Sequence, residues 1–199
     1  MTDAGKKIVL LPTNRGLAAQ AERALAIADD AGGEPQFVRG EDVPFLASSI
    51  AATGRCVLGI TGQDLVSEYL AAGNTLGERL QVRTLPWQDR AAVYGSPALC
   101  LIGAPGAQVG ASARVAICSK YRNLAERYLQ RLENAGCRVD RIWISGALET
   151  VCLNGLADFI IDIVVTGATM KRAGLAVREV ICKSDLALLE TRNVIAEAK

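Results

Sequence analysis

Histidine is absent from all 199 residues of this chain. Without imidazole, Ser-His-Asp and Cys-His nucleophilic machinery is excluded, as are the usual zinc sites. Chemistry must run on carboxylates, cations, hydroxyls, backbone donors or a hard metal. Aromatic residues are scarce, and two Trp, four Tyr and three Phe leave little material for a base-stacking platform. Neither sign of charge dominates: 22 Lys and Arg against 21 Asp and Glu give a formal net charge of +1. That balance argues against a nucleic-acid or membrane surface, so a phosphate would need a focused site. No apolar run reaches the roughly 18 to 20 residues of a membrane span, and the opening M-T-D-A-G-K-K-I-V-L-L-P lacks the long apolar segment of a secretory signal. The expectation is a cytoplasmic globular protein with no membrane and no nucleic-acid partner. Six cysteines are present, but no C-x-x-C pair; Cys56, Cys100, Cys118, Cys137, Cys152 and Cys182 lie mostly in apolar runs. They read as buried free thiols of a reducing compartment rather than as ligands or nucleophiles.

What is present is enough apolar material, 50% of residues against 22% charged, to bury a substantial core in one large or two small domains. Strand-like and helix-like segments alternate, which is α/β patterning. I-V-L-L leads into a helical pattern over Gly16 to Ala31, then F-V-R, a helix from about Val43, C-V-L-G-I and a helix from about Gln63. A second α/β series starts with L-C-L-I-G-A-P-G and R-V-A-I-C-S, followed by a helix over Arg122 to Ala135 ended by Gly136. R-V-D-R-I-W-I-S and D-F-I-I-D-I-V-V continue it, and V-R-E-V-I-C-K-S and L-A-L-L-E read as two final strands. Ala104 to Ala113 is the most loop-like stretch.

The run D-I-V-V-T-G-A-T, Asp162 to Thr169, closes an apolar strand and opens a short helix. Gly167 lets the backbone turn sharply and approach an anion, Thr166 and Thr169 add hydroxyls, and the positive end of the new helix faces the same point. That is a cup for one phosphate. The competing reading is an ordinary strand-to-helix turn capped by Thr. D-F-I-I-D reads as a buried strand carrying Asp158 and Asp162, and M-K-R-A-G-L supplies two cations and a terminating Gly174.

The segment from Gly146 to Leu175, G-A-L-E-T-V-C-L-N-G-L-A-D-F-I-I-D-I-V-V-T-G-A-T-M-K-R-A-G-L, resembles the signature region of ATP phosphoribosyltransferases. The likeness extends in order to S-K-Y-R-N-L-A-E-R-Y-L, V-R-G-E-D-V-P and L-G-I-T-G-Q-D-L-V, covering most of the chain. The resemblance implies two α/β domains arranged like a type II periplasmic binding protein, with an interdomain cleft. The first domain would be 1–92 plus 178–199 and the second 93–177. It also implies a reaction joining N1 of ATP to phosphoribosyl pyrophosphate with loss of pyrophosphate, assisted by Mg²⁺, as the first step of histidine biosynthesis. The length matches a short-form catalytic subunit, which implies a homodimer or a hetero-oligomer with a regulatory subunit resembling a histidyl-tRNA synthetase.

Residue roles carried by the resemblance follow. Thr166, Gly167, Ala168 and Thr169 match the loop for the 5′-phosphate. Asp162 and Glu149 are candidates to meet ribose hydroxyls or a magnesium-bound water, with a backbone-capping carboxylate as the alternative for Asp162. Lys120 and Tyr121 fall in a cleft-lining segment. Asp158 is as readily structural. In the first domain, P-T-N-R-G-L replaces the family's Lys-Gly-Arg turn, leaving Arg15 for pyrophosphate with Thr13 and Asn14 as neighbours. Arg39, Glu41 and Asp42 match a further loop of the family. Two departures bear on activity: Val57 where relatives carry Asp, and Pro97-Ala98-Leu99 where they carry Cys-Arg-Leu. They leave two other expectations open. One is a diverged paralogue making an N1-phosphoribosyl purine nucleotide for another pathway, such as a nucleoside antibiotic. The other is a non-catalytic subunit that binds a nucleotide or phosphoribosyl pyrophosphate.

Overall fold

A computed structural model describes residues 6–27, 33–146 and 148–192, with the side chains of Arg15, Ile27 and Glu34 outside that description. The chain divides into two compact units, Met1–Pro86 with Asp185–Lys199, and Trp87–Ser184. In the first, β1 (Lys7–Pro12), α1 (Arg15–Ile27), β2 (Gly33–Val38), α2 (Val43–Ala52), β3 (Val57–Gly62), α3 (Gln63–Ala71) and β4 (Leu80–Leu85) alternate as the apolar periodicity predicts, apart from β4. Of the predicted helix over Gly16 to Ala31, the residues through Ile27 are helical, and residues 28–32 lie outside the described residues.

The second unit runs β5 (Ala98–Gly103), β6 (Ser112–Cys118), α4 (Arg122–Asn134), β7 (Arg138–Ile144), α5 (Leu148–Leu153), β8 (Phe159–Val164), α6 (Ala168–Arg172) and β9 (Ala176–Lys183). The chain then returns to the first unit as β10 (Leu186–Thr191).

The two sheets share one plan. Their orders are β2-β1-β3-β10-β4 and β7-β6-β8-β5-β9. In each, three parallel strands are followed by an antiparallel one, β10 against β3 and β5 against β8. Central β3 and β5 are buried along their whole length, which is why they read as continuous apolar runs. Buried Ile8, Leu10, Val43, Ala47, Val57 and Leu189 build the core of the first unit, with the α2 face at four-residue spacing.

The expected return to the first unit at 178 falls instead after Ser184. β9 pairs antiparallel with β5 from Ala176 to Lys183 and so completes the second sheet, and only β10 crosses back. The reason is register: β9 continues the hydrogen bonding of β5, while Leu186 to Leu189 fill the gap between β3 and β4. In both sheets the chain leaves a middle strand, β1 or β6, first to one neighbour and then to the other. The carboxyl ends of β1 and β3, and of β6 and β8, are therefore the points where flanking connections diverge and leave room for ligands. Among the described residues no helix is long and apolar enough to cross a membrane.

Candidate functional site

At the carboxyl end of β8 the backbone must turn within three residues to start α6. It does so through Gly167 at φ 68°, in the left-handed region, where a side chain costs roughly 1–2 kcal/mol. Thr166 Oγ1 accepts the Ala168 N–H at 3.3 Å, tightening the turn. The first N–H groups of a helix have no intrahelical acceptor, so the opening of α6 presents donors beside the Thr166 and Thr169 hydroxyls. The helix stops where the sequence predicts. Gly174 N–H donates to the Lys171 carbonyl and Leu175 N–H to Met170, the paired bonds of a glycine-terminated helix.

This turn forms one wall of a cavity of about 250 Å³. Thr166, Gly167, Ala168 and Thr169 line it together with Glu149 and Asp162, and Ile102, Ile160 and Met170 supply apolar lining. Six of the residues named from the sequence thus meet around one space. Glu149 comes from the first turn of α5, a six-residue helix too short to show a periodic pattern.

Asp162 is half-buried, and its Oδ1 accepts the N–H of Ile163 at 2.8 Å. Burial pushes its carboxyl up and the nearby Glu149 charge pushes the same way; the Ile163 N–H, the Lys120 ammonium and the Cys118 thiol oppose them. The capping role read from the sequence is real, but it occupies one carboxylate oxygen. Two carboxylates and a phosphate-sized turn in one cavity suit a sugar phosphate, whose hydroxyls donate to the acids and whose phosphate accepts from the turn.

Lys120 and Tyr121 do not line the cavity. Tyr121 is buried at 3% exposure just before α4, with the Lys120 ammonium 5.9 Å from its ring centre. It is a packing residue here, and Lys120 bears on the cavity through its charge on Asp162. Asp158 is structural. It holds Arg114 through Nη2 to Oδ1 at 2.7 Å and the Arg114 backbone N–H at 2.8 Å, while its own N–H donates to the Arg114 carbonyl.

In the first unit, Asn14 Oδ1 accepts the Gly40 N–H at 2.8 Å and the Thr61 hydroxyl donates to the Gly40 carbonyl at 2.7 Å. A Cβ at Gly40 would come within 2.9 Å of Asn14 Oδ1 and Leu17, so a larger residue would displace the Asn14 amide where the loop after β2 is tied to the ends of β1 and β3. The Asn14 amide oxygen is therefore committed to shaping the crest of the sheet. Thr61 was not singled out in the sequence, since its partner is fixed only by strand order. Arg15 opens α1, and its side chain lies outside the described residues. Arg39 is exposed and pairs with Glu41 at 2.7 Å. Val57 and Ala98, the departures from the family pattern, are both wholly buried. Each is a core residue, and a charge at either position would lack water.

Among the described residues no three Cys, Asp or Glu side chains gather into a metal cage.

A profile of the HisG family, ATP phosphoribosyltransferase, matches residues 39–199. The ATP phosphoribosyltransferase of Thermus thermophilus is 31% identical over 176 residues, which cover 88% of this chain and 74% of that protein. Other curated relatives are longer: the chain spans 49% of the Kluyveromyces lactis protein and 59% of the Methylococcus capsulatus one. Among solved structures, the ATP phosphoribosyl transferase (HisG:HisZ) complex of Thermotoga maritima superposes with a TM-score of 0.64 at 20% identity, covering 94% of this chain and 87% of that one. The periplasmic aliphatic sulphonate binding protein SsuA of Escherichia coli superposes at 0.57 and 15%, covering 94% and 65%. These two likenesses share the doubled α/β fold, and the sequence matches go further. With a profile running from the loop after β2 through the turn of α6 and on to the end, the chain belongs to the ATP phosphoribosyltransferase family, the enzymes of the first step of histidine biosynthesis.

Proposed function

We propose that this chain transfers the ribosyl group of phosphoribosyl pyrophosphate to N1 of ATP and releases pyrophosphate. The observation that carries the reading is the single cavity in which the Thr166–Thr169 turn meets Glu149 and Asp162. In this reading the 5′-phosphate takes the N–H groups of the turn and the hydroxyls of Thr166 and Thr169. Asp162 and Glu149 accept from the ribose hydroxyls. As the bond from C1′ to pyrophosphate oxygen breaks and the bond from N1 to C1′ forms, positive charge develops on the ribose ring, and fixed carboxylates favour it. Adenine N1 brings its own lone pair, so no general base is needed, and a chain without histidine suffices.

Asn14 and Arg15 are proposed to meet the pyrophosphate, with Lys120 adding positive charge near the sugar. Two carboxylates are too few to hold a resident magnesium ion, and Mg²⁺ usually travels with substrate phosphates. Its site is therefore proposed to be the sugar pyrophosphate itself, where it supplies charge neutralisation for the leaving group. A regulatory partner of the HisZ kind is proposed from the Thermotoga complex, whose HisG chain shares this fold.

The test is pyrophosphate release by the purified chain with ATP, phosphoribosyl pyrophosphate and Mg²⁺, with and without the regulatory subunit, and with the product weighed by mass spectrometry. An ATP adduct is expected. An adduct with another purine nucleotide in place of ATP would identify a diverged paralogue. Tight binding of phosphoribosyl pyrophosphate without turnover in either condition would identify a binding subunit.

A further inference from the structure

Asp162 stands in a row of side chains across the second sheet. β5 pairs Cys100 with Asp162, and the parallel register that sets Ile117 beside Ile161 brings Cys118 abreast of Asp162 from β6. Residues abreast in a sheet share a face, so the carboxylate lies between two thiols. These are two strand spacings apart, about 10 Å, beyond the reach of a disulfide.

The two thiols differ in what they do. Cys100 Sγ is wholly buried and donates to the Ala98 carbonyl at 3.4 Å, and burial, then Cys182, push it up to about 12. Cys118, 9% exposed, faces the Asp162 carboxylate from the neighbouring strand, close enough to feel its charge. Burial, then the Asp162 charge, push the Cys118 thiol up, so it stays protonated and able to donate at neutral pH. The other charged groups bearing on the carboxylate are Glu149 from α5, which repels it, and Lys120 beyond β6, which attracts it. The α6 turn adds hydroxyls and N–H groups, and its residues that line the cavity, Thr166 to Met170, carry no charge.

We propose that Cys118 is a positioning residue for sugar-phosphate binding: its thiol and the Ile163 N–H together fix the Asp162 carboxylate in the orientation that meets the ribose hydroxyls. The inference rests on the reading of Asp162 as a ribose contact. A thiol is a weak donor, but a half-buried carboxylate has few others, and losing one leaves it freer to rotate and readier to take a proton. Because such a bond favours the ionised form, its removal moves proton uptake by Asp162 to higher pH.

The experiment is calorimetric titration of phosphoribosyl pyrophosphate into the full chain from about pH 5 to about pH 8, for the wild type, Cys118→Ala, Cys118→Ser and Asp162→Asn. The ligand's own ionisations are common to all four, so differences between variants report the protein. Cys118→Ala is expected to lose about fivefold in affinity at neutral pH, the scale of one hydrogen bond, and to lose binding at a higher pH than the wild type on acidification. Cys118→Ser is expected to restore both, and Asp162→Asn to bind weakly with a flattened pH response. A Cys118→Ala protein that matches the wild type at every pH overturns the proposal. So does equal weakening of the Ala and Ser variants with the acid limb unmoved, which would make Cys118 a packing residue only. Wild-type affinity in Asp162→Asn, or no binding by the wild type, removes the cavity reading and this inference with it.

Discussion

At the residue scale, Asp162 shows how a binding group can weigh against stability. Burial, first, raises its carboxyl above the ordinary 3.8. Between that value and the raised one the native state binds more protons than the unfolded chain, so this residue's contribution to stability falls as pH rises through the window. Asp162→Asn removes the loss. The variant is expected to melt above the wild type at neutral pH, and the advantage to disappear as pH drops below the ordinary value. Its kcat/KM should fall about 10- to 100-fold, the range for a hydrogen bond to a charged acceptor. Scanning calorimetry across pH, set beside steady-state kinetics, reads both halves. A variant less stable than wild type at neutral pH would mean that the carboxylate's interactions with Ile163 and Cys118 outweigh its desolvation. What was legible in the sequence at this scale was local: Gly167 and the threonines announce a turn by their own chemistry. Cys118 was legible only as a buried thiol, because its partner stands on a strand reached after β7 and α5.

At the scale of elements, one guanidinium grips α4 at two points from β7. Arg141 of β7 donates Nε and Nη2 to Glu126 at 2.9 and 2.8 Å, and Nη1 and Nη2 to Glu133 at 2.8 Å each. The two glutamates lie seven residues apart on α4 and so share a face. A fork satisfied on both sides is a geometry in which arginine cannot be exchanged for lysine. Arg141→Lys is expected to lower Tm by about 2–4 °C, the response of a chain of this size to roughly 1 kcal/mol. Hydrogen bonding to Arg141 holds the Glu133 carboxyl below its ordinary 4.5, so that stabilisation is complete above 4.5 and lost as pH falls through the lowered value. The stability gap between wild type and Glu133→Gln should therefore close on acidification below 4.5, which melting curves at several pH values would register. An unchanged gap would assign the pairing to packing. The helix itself was legible, from its amphipathic period and Gly136. β4 was not: it is an edge strand whose four middle residues are all exposed, so it carries no apolar alternation. α5 escaped for want of length.

At the scale of the molecule, the double crossing of the chain makes the two units unequal in autonomy. The second is one continuous segment, Trp87–Ser184, whereas the first needs β10 from the far end of the chain to join β3 to β4. Periodicity detects strands and says nothing of which sheet receives them, so the family resemblance supplied the crossing and register alone set its place. Every residue lining the candidate cavity, from Ile102 to Met170, belongs to the continuous segment. If the phosphate site is built as proposed, it should survive excision. The fragment 87–184 is expected to unfold cooperatively and to bind ribose 5-phosphate, while a chain ending at Ser184 should lose the cooperative unfolding of the first unit, since wholly buried Leu188 and Leu189 go with β10. Gly167→Val with Thr169→Ala in the fragment provides the control. A β-branched residue is strained at φ 68° and a hydroxyl is lost, so binding should fall at least about tenfold while the sheet, formed by other residues, still folds. A folded fragment that binds ribose 5-phosphate no better than this double variant would show that the turn alone does not hold the phosphate.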